Sequence, residues 1–419
     1  MKTITLLSWK SLRNRKATAL LTVLTVTISV ILLLGVERIR TEAKSSFANT
    51  ISGTDLIVGA RSGQVNLLLY SVFRIGNATN NISWESYQEW SNNPAVKWAI
   101  PISLGDSHRG FRVMGTNQDY FTHYQYGKKQ SLNLEQGQPF DELFETVLGA
   151  DVARELGYKL NDDIVIAHGM GDVSFTKHDN APFKVVGILA PTGTPIDKTV
   201  HVSLEAIEAI HVGWESGAHL GGAPDKATLE RMDFNPKEIT AFMLGLNSKI
   251  QTFGVQRAIN TYPQEPLSAI MPALALQELW QMMSVAEQAL LAVSVFVVIA
   301  GLLGMLSSLL TSLQERRREM AILRAMGARP SHIFALLVTE ASTITFMGIV
   351  VGVAGLYGLL AIGQPIIQSN YGIAIELSWL TPHEWTLLGL VQLAGIMIGI
   401  LPAIRAYRQS LSDGMTIRV

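Results

Sequence analysis

Seven of the nine histidines, His108, His123, His168, His178, His201, His211 and His219, fall in one stretch between residues 108 and 219. Neutral imidazole suits zinc or copper, so His168, His178, His201, His211 and His219 are candidate metal ligands. Against that reading, no two of the seven are spaced as H-x-x-x-H, and scattered surface and core imidazoles fit the pattern better. Serine, histidine and aspartate are all available, but no G-x-S-x-G nucleophile motif occurs, so hydrolase chemistry is not expected. No G-x-x-x-x-G-K-[ST] phosphate loop is present either. No cofactor is therefore expected on this chain, and it does not read as an enzyme. The lack of cysteine excludes disulfides, thiolate chemistry and Cys-type zinc sites. A formal net charge of −1 leaves no global basic field to hold nucleic acid.

The most informative spacing lies in residues 315–329, ERRREMAILRAMGAR. At helical periodicity Met320, Leu323 and Gly327 fall on one side, with Arg317, Arg318 and Arg324 elsewhere. Such a short amphipathic helix, set at the end of a membrane span, is something a motor subunit could push.

The elements that would position it are apolar. A bilayer core of about 30 Å needs roughly 20 apolar residues in a helix, and four stretches meet that demand: 17–36, 288–313, 341–367 and 385–404. The first resembles a cleaved signal peptide in its basic lead, but its apolar run is too long and is followed by Gly35-Val36-Glu37-Arg38 in place of a small-x-small cleavage site. Lys2, Lys10, Arg13, Arg15 and Lys16 precede the first span. Arg316, Arg317, Arg318, Arg324 and Arg329 follow the second, and Arg405, Arg408 and Arg418 follow the fourth. By the positive-inside rule these segments and both termini are cytoplasmic, which leaves residues 37–285 outside. Gly348-x-x-x-Gly352, with Gly301 and Gly304, would let helices approach closely, either within one chain or at a dimer seam. Glu340 is expected to reach the cytoplasmic interface.

The outer stretch is a folded domain. Apolar runs suggest strands at 56–58, 95–102, 111–114, 164–167, 183–189 and 241–246, and helical periodicity appears at 84–90, 151–156, 204–210 (with Ser203 as N-cap) and 254–261. This mixed order favours an α+β domain. Residues 213–233 read as a loop, and 191–195, PTGTP, as turns able to contact a partner. Residues 37–49 and 273–287 look helical, extending the first two spans outward as a stalk.

The 316–328 run resembles the coupling-helix signature of the FtsX/MacB/LolC family of ABC permeases, R-x-x-E-[IM]-[AG]-[IV]-L-R-A-[LM]-G-A. Arg316, Glu319, Leu323, Arg324, Gly327 and Ala328 match it position by position. Residues 11–16, SLRNRK, resemble the family's amphipathic lead-in helix, and 402–407, PAIRAY, its close of the fourth span. Residues 147–188 resemble a MacB-type periplasmic core domain more loosely.

The resemblance implies an α-helical membrane protein with four transmembrane helices and a large α+β periplasmic domain inserted between the first and second. The divisions are a lead-in helix and first span (1–36), a stalk (37–50), the core domain (51–272), a stalk and second span (273–313), the coupling loop (314–332), and the last two spans with a cytoplasmic tail (333–419), with an FtsX-like part at 288–410. It further implies a bacterial inner-membrane location, a separate cytoplasmic ATPase that supplies the ATP and Mg site, a second permease copy in a homo- or heterodimer, and a periplasmic partner or substrate. Glu319 and Arg324 would pair with polar groups of the ATPase while Met320 and Leu323 fill its apolar groove. Lipoprotein, peptide or efflux-type transport is the reading that follows. The alternatives are an FtsX-like scaffold regulating a periplasmic partner and a zinc permease.

Overall fold

The computed structural model describes residue 13 and residues 15–168, 181–212, 224–315, 317–371 and 378–408. It divides into two compact units.

One unit, Met1–Glu42 with Ser284–Ile366 and Ile375–Val419, is helical. Among the described residues, four helices are long and apolar enough to cross a membrane: Lys16–Asn49, Pro272–Gln314, Pro330–Gln364 and Pro382–Arg408. They are called here the first to fourth spans. Their outward faces stay apolar, as lipid requires: Leu20, Phe296, Ile362 and Leu390 are each more than 60% exposed. Their contacts are made by small residues. A Cβ on Gly348 would lie 2.6 Å from Val26, one on Gly352 2.8 Å from Val30, and one on Gly301 2.5 Å from Ser29. The glycine spacing therefore serves packing of the third and second spans on the first within one chain. Hydroxyls inside the bundle return their protons to the preceding turn, as Thr22 does to the Thr18 carbonyl and Thr345 to the Ala341 carbonyl. Glu340 is 3% exposed and enclosed by the bundle.

The second unit, Ala43–Met283 with Ile367–Ala374, is built on an eleven-stranded mixed sheet. Its main path runs Leu267–Ile270, Leu56–Ala60, Ala241–Leu246, Val96–His108, Phe111–Thr116, Thr199–Ser203, Glu145–Leu148, Phe183–Leu189 and Leu134–Gly137. Neighbours are antiparallel except Phe111–Thr116 with Thr199–Ser203 and Glu145–Leu148 with Phe183–Leu189, which are parallel. The strand Val96–His108 is longer than the sequence suggests. Its first part pairs with Ala241–Leu246 and its last part, from Ser103, with Phe111–Thr116, the second pairing containing a register shift between Leu104 and Ser107. Ala241–Leu246 and Thr199–Ser203 are buried along their whole length, which fits a sheet covered on both faces.

Helices cover the sheet. Ser203 caps Leu204–His211 by accepting the Ala206 N–H at 3.1 Å. The single strand expected at 164–167 is two short ones, Asp163–Ile164 and Ala167–His168, which pair with different neighbours. Residues 191–195 close on themselves: Asp197 accepts the backbone N–H of Thr192 at 2.9 Å and of Gly193 at 2.7 Å. Of the loop expected at 213–233, residues 213–223 lie outside the described residues, and Asp225 caps the short helix Lys226–Leu229. The ends of the long helices in this unit meet one another. Phe47 packs edge-on to Trp280 at 5.6 Å and against Phe73 at 4.6 Å between ring centroids.

Candidate functional site

A nine-residue helix, Arg317–Ala325, links the second and third spans. Its end is set by Gly327, whose φ of +97° is open to a residue without Cβ. The Ala328 N–H then bonds the Leu323 carbonyl at 3.0 Å and the Gly327 N–H bonds the Arg324 carbonyl at 2.9 Å, so the last carbonyls are satisfied. Pro330 opens the next helix at a position where no N–H is needed.

Two contacts fix this helix to the bundle. Met320 and Ala321 are 8% and 9% exposed, and Met320 packs with Leu313, Ile333, Leu337, Ala403 and Ala406. Arg324 donates through Nη2 to the carbonyls of Ala406 at 3.1 Å and Tyr407 at 3.2 Å. These are terminal carbonyls of the fourth span, where the helix dipole also favours a cation.

Within the chain, the residues of the motif are placed as follows. Met320 faces inward and fills a pocket of its own chain, and the Arg324 guanidinium is engaged by the fourth span. Leu323 is half-buried, Glu319 and Gly327 are exposed and Ala328 is half-buried. Arg316 lies outside the described residues. The apolar side chains that do face out are Ile322 at 59% and Met326 at 72% exposure, one helical turn apart. Sequence reasoning missed them because apolar residues occur all round this helix. Only the packing partner decides which stripe is inward.

At the other end of the spans is a charge cluster that sequence reasoning also missed. Arg38 and Glu384 have side chains 2% and 3% exposed and meet at 3.1 Å through Nε and Oε1. Arg38 Nη2 also donates to the Tyr357 hydroxyl at 3.2 Å and the Ser378 carbonyl at 2.9 Å, and the guanidinium lies 5.0 Å from the Tyr357 ring centroid. Glu384 accepts the Thr381 N–H at 2.6 Å while the Thr381 hydroxyl accepts the Glu384 N–H at 3.2 Å, a reciprocal capping box at the start of the fourth span. Beside this pair Glu37 binds Arg40 at 2.7 Å, and Arg40 lies 3.6 Å from Glu287. The T-x-x-E spacing of Thr381 and Glu384 before an apolar run was the available signal.

Four of the histidines, His108, His123, His201 and His211, contact other protein groups. His201 is fully buried with Nδ1 3.1 Å from the Val147 carbonyl; burial, with the nearby Arg74 guanidinium, lowers its pKa to about 3. His108 contacts the Val165 carbonyl at 2.6 Å and the Tyr158 hydroxyl at 3.0 Å, and burial lowers its pKa as well. His211 Nε2 lies 3.6 Å from Asp106, and His123 stacks on Trp98 at 5.7 Å. His168 lies in the strand paired with Val96–His108, and His178 and His219 lie outside the described residues. Among the described residues no three metal-ligating side chains converge.

Two family models match the chain. The MacB-like periplasmic core domain covers residues 19–261, and the FtsX-like permease C-terminal covers residues 291–411. Among curated relatives, the pyoverdine export ATP-binding/permease protein PvdT of Pseudomonas fluorescens is 26% identical over 65% of this chain and 38% of its own length. The macrolide export ATP-binding/permease protein MacB of Wolinella succinogenes is 24% identical over 55% of this chain and 33% of its own. The chain thus spans only a third to two fifths of these relatives. The periplasmic region of MacB from Actinobacillus actinomycetemcomitans aligns at 10% identity and a TM-score of 0.35, covering 55% of this chain and 94% of that one.

Proposed function

This chain belongs to the FtsX-like permeases that carry a MacB-like periplasmic core domain, and on that premise we propose that it is the membrane subunit of an ATP-driven complex, coupled to an ATPase on a separate cytoplasmic chain. The observation that carries this reading is the helix Arg317–Ala325, held to the bundle by Met320 and Arg324 while presenting Ile322 and Met326 outward. A helix fixed on one side and apolar on the other receives a push and hands it to the spans. The arginines at this end support a position on the cytoplasmic side of a bacterial inner membrane, with both termini on the same side. The first and second spans are unbroken helices from Lys16 to Asn49 and from Pro272 to Glu315. Along them the displacement reaches a periplasmic unit acting on an efflux, peptide or lipoprotein substrate. A second permease copy completes the complex.

The chain has no cysteine, so an Ile322→Cys variant reports on a single position. It should cross-link to the ATPase and resist an impermeant thiol reagent in intact cells. Ile322→Asp and Met326→Asp should each weaken association at least tenfold, since burial of such a side chain is worth about 1.5–3 kcal/mol. Labelling of the Ile322→Cys variant from outside, or unchanged ATPase association in both aspartate variants, would sink the assignment.

A further inference from the structure

The basic end of the first span holds a recess that the coupling contacts do not use. Lys16, Ala19, Leu20 and Val23 are spaced i, i+3, i+4 and i+7 and so share one face of the first span, while Ile344 and Met347 share a face of the third. Together with Arg13 they line a groove of about 230 Å³. Val23 and Ile344 form its floor at 9% and 3% exposure, and Leu20, 68% exposed, forms a wall open to lipid. The groove is ordered along the membrane normal: both cations stand at the end of the span and everything deeper is apolar.

Among the described residues no carboxylate pairs with Arg13 or Lys16. Arg15 between them is occupied, donating to the Ser312 hydroxyl. Two cations at the mouth of an apolar groove complement a molecule with an anionic head and a hydrocarbon tail. We propose that this groove binds one anionic phospholipid of the surrounding leaflet, with its phosphate at Arg13 and Lys16 and an acyl chain along Ala19, Leu20, Val23 and Ile344. The tail gains little by leaving bulk lipid for the groove, so selectivity rests on the headgroup. Each basic residue near a membrane surface favours an anionic lipid about fivefold, which gives roughly thirtyfold for two.

The test uses the full chain in phosphatidylcholine nanodiscs with increasing phosphatidylglycerol, reading retained lipid by native mass spectrometry. One phosphatidylglycerol per chain should be retained, preferred roughly thirtyfold over phosphatidylcholine. The Arg13→Gln/Lys16→Gln variant should bring the ratio close to one. Leu20→Trp, which fills the groove and keeps both charges, should abolish retention; a loss in the first variant alone would mean diffuse surface attraction and overturn the site. Equal retention of both lipids, or displacement of the lipid by inorganic phosphate, would overturn it too. So would efficient disulfide formation between copies carrying Leu20→Cys, because a second copy would then cover the groove.

Discussion

The two units bury polar groups by opposite means. The helical unit keeps its charges and matches them: Arg38 and Glu384 are both almost inaccessible, and each is ringed by further hydrogen bonds. The sheet unit places His201 and His108 where burial disfavours a charged ring, so both are held neutral. The difference follows from what each site can supply. At the end of the spans a carboxylate, a phenol and backbone carbonyls converge on Nε and Nη2 of the guanidinium, though Nη1 is buried with no hydrogen-bond partner among the described residues. The sheet interior offers His201 one carbonyl and the repulsion of Arg74. An imidazole sheds its proton there at modest cost, whereas a guanidinium cannot. Thus the helical unit depends on a partner, and the sheet unit depends on pH.

The largest test removes that partner. Arg38→Leu leaves Glu384 buried without its counter-charge and should cost about 3–5 kcal/mol, read as a lower melting temperature of the purified chain. Adding Glu384→Leu should recover most of the loss. If the double variant is no more stable than the single one, the pair is not matched in the sense argued. The second test concerns the histidines. Unfolded imidazole takes up a proton below about pH 6.5, whereas folded His201 does so only near 3. Its contribution to stability is therefore full above about pH 6.5 and lost as pH falls through the window down to 3, by at most about 1.4 kcal/mol per pH unit. His108 acts in the same direction. Melting followed by tryptophan fluorescence should fall on acidification, and His201→Gln should flatten the curve. An unchanged slope in that variant would remove His201 from the account. The smallest effect is expected at Arg324. Arg324→Gln loses the charged bonds to Ala406 and Tyr407 near the surface, worth about 1–2 kcal/mol, with insertion unaffected. A loss as large as that of Arg38→Leu would erase the distinction between a buried pair and an exposed clamp.

Much of this was legible in the sequence, for identifiable reasons. The spans announce themselves by length and by the arginines that stop them. The strand Ala241–Leu246 is a continuous apolar run because both faces are covered, and Phe183–Leu189 is apolar but for Lys184, which is exposed. Thr199–Ser203, TVHVS, was not legible: three of its five residues are polar, yet all are buried, because the Thr199 hydroxyl donates to the Pro195 carbonyl and His201 is neutral. The helix Arg317–Ala325 was marked by its motif, but the stripe that packs on its own chain was not. Periodicity gives the stripes and is silent on which one meets the fourth span. The Arg38–Glu384 pair joins residues 346 positions apart, a separation over which no local pattern carries information.

The glycines of the third span have one further consequence. Val26 and Val30 sit over Gly348 and Gly352 so closely that even a methyl group on either glycine would collide with them. Both notches recur at the same four-residue interval. To slide by one turn, the first span would have to lift both valines out together, and while one could drop into the other's notch, the second would meet Leu356 or Ile344 in place of a glycine. The two helices are thereby geared: neither can advance along its axis alone, so a load applied to one is shared by the other at once.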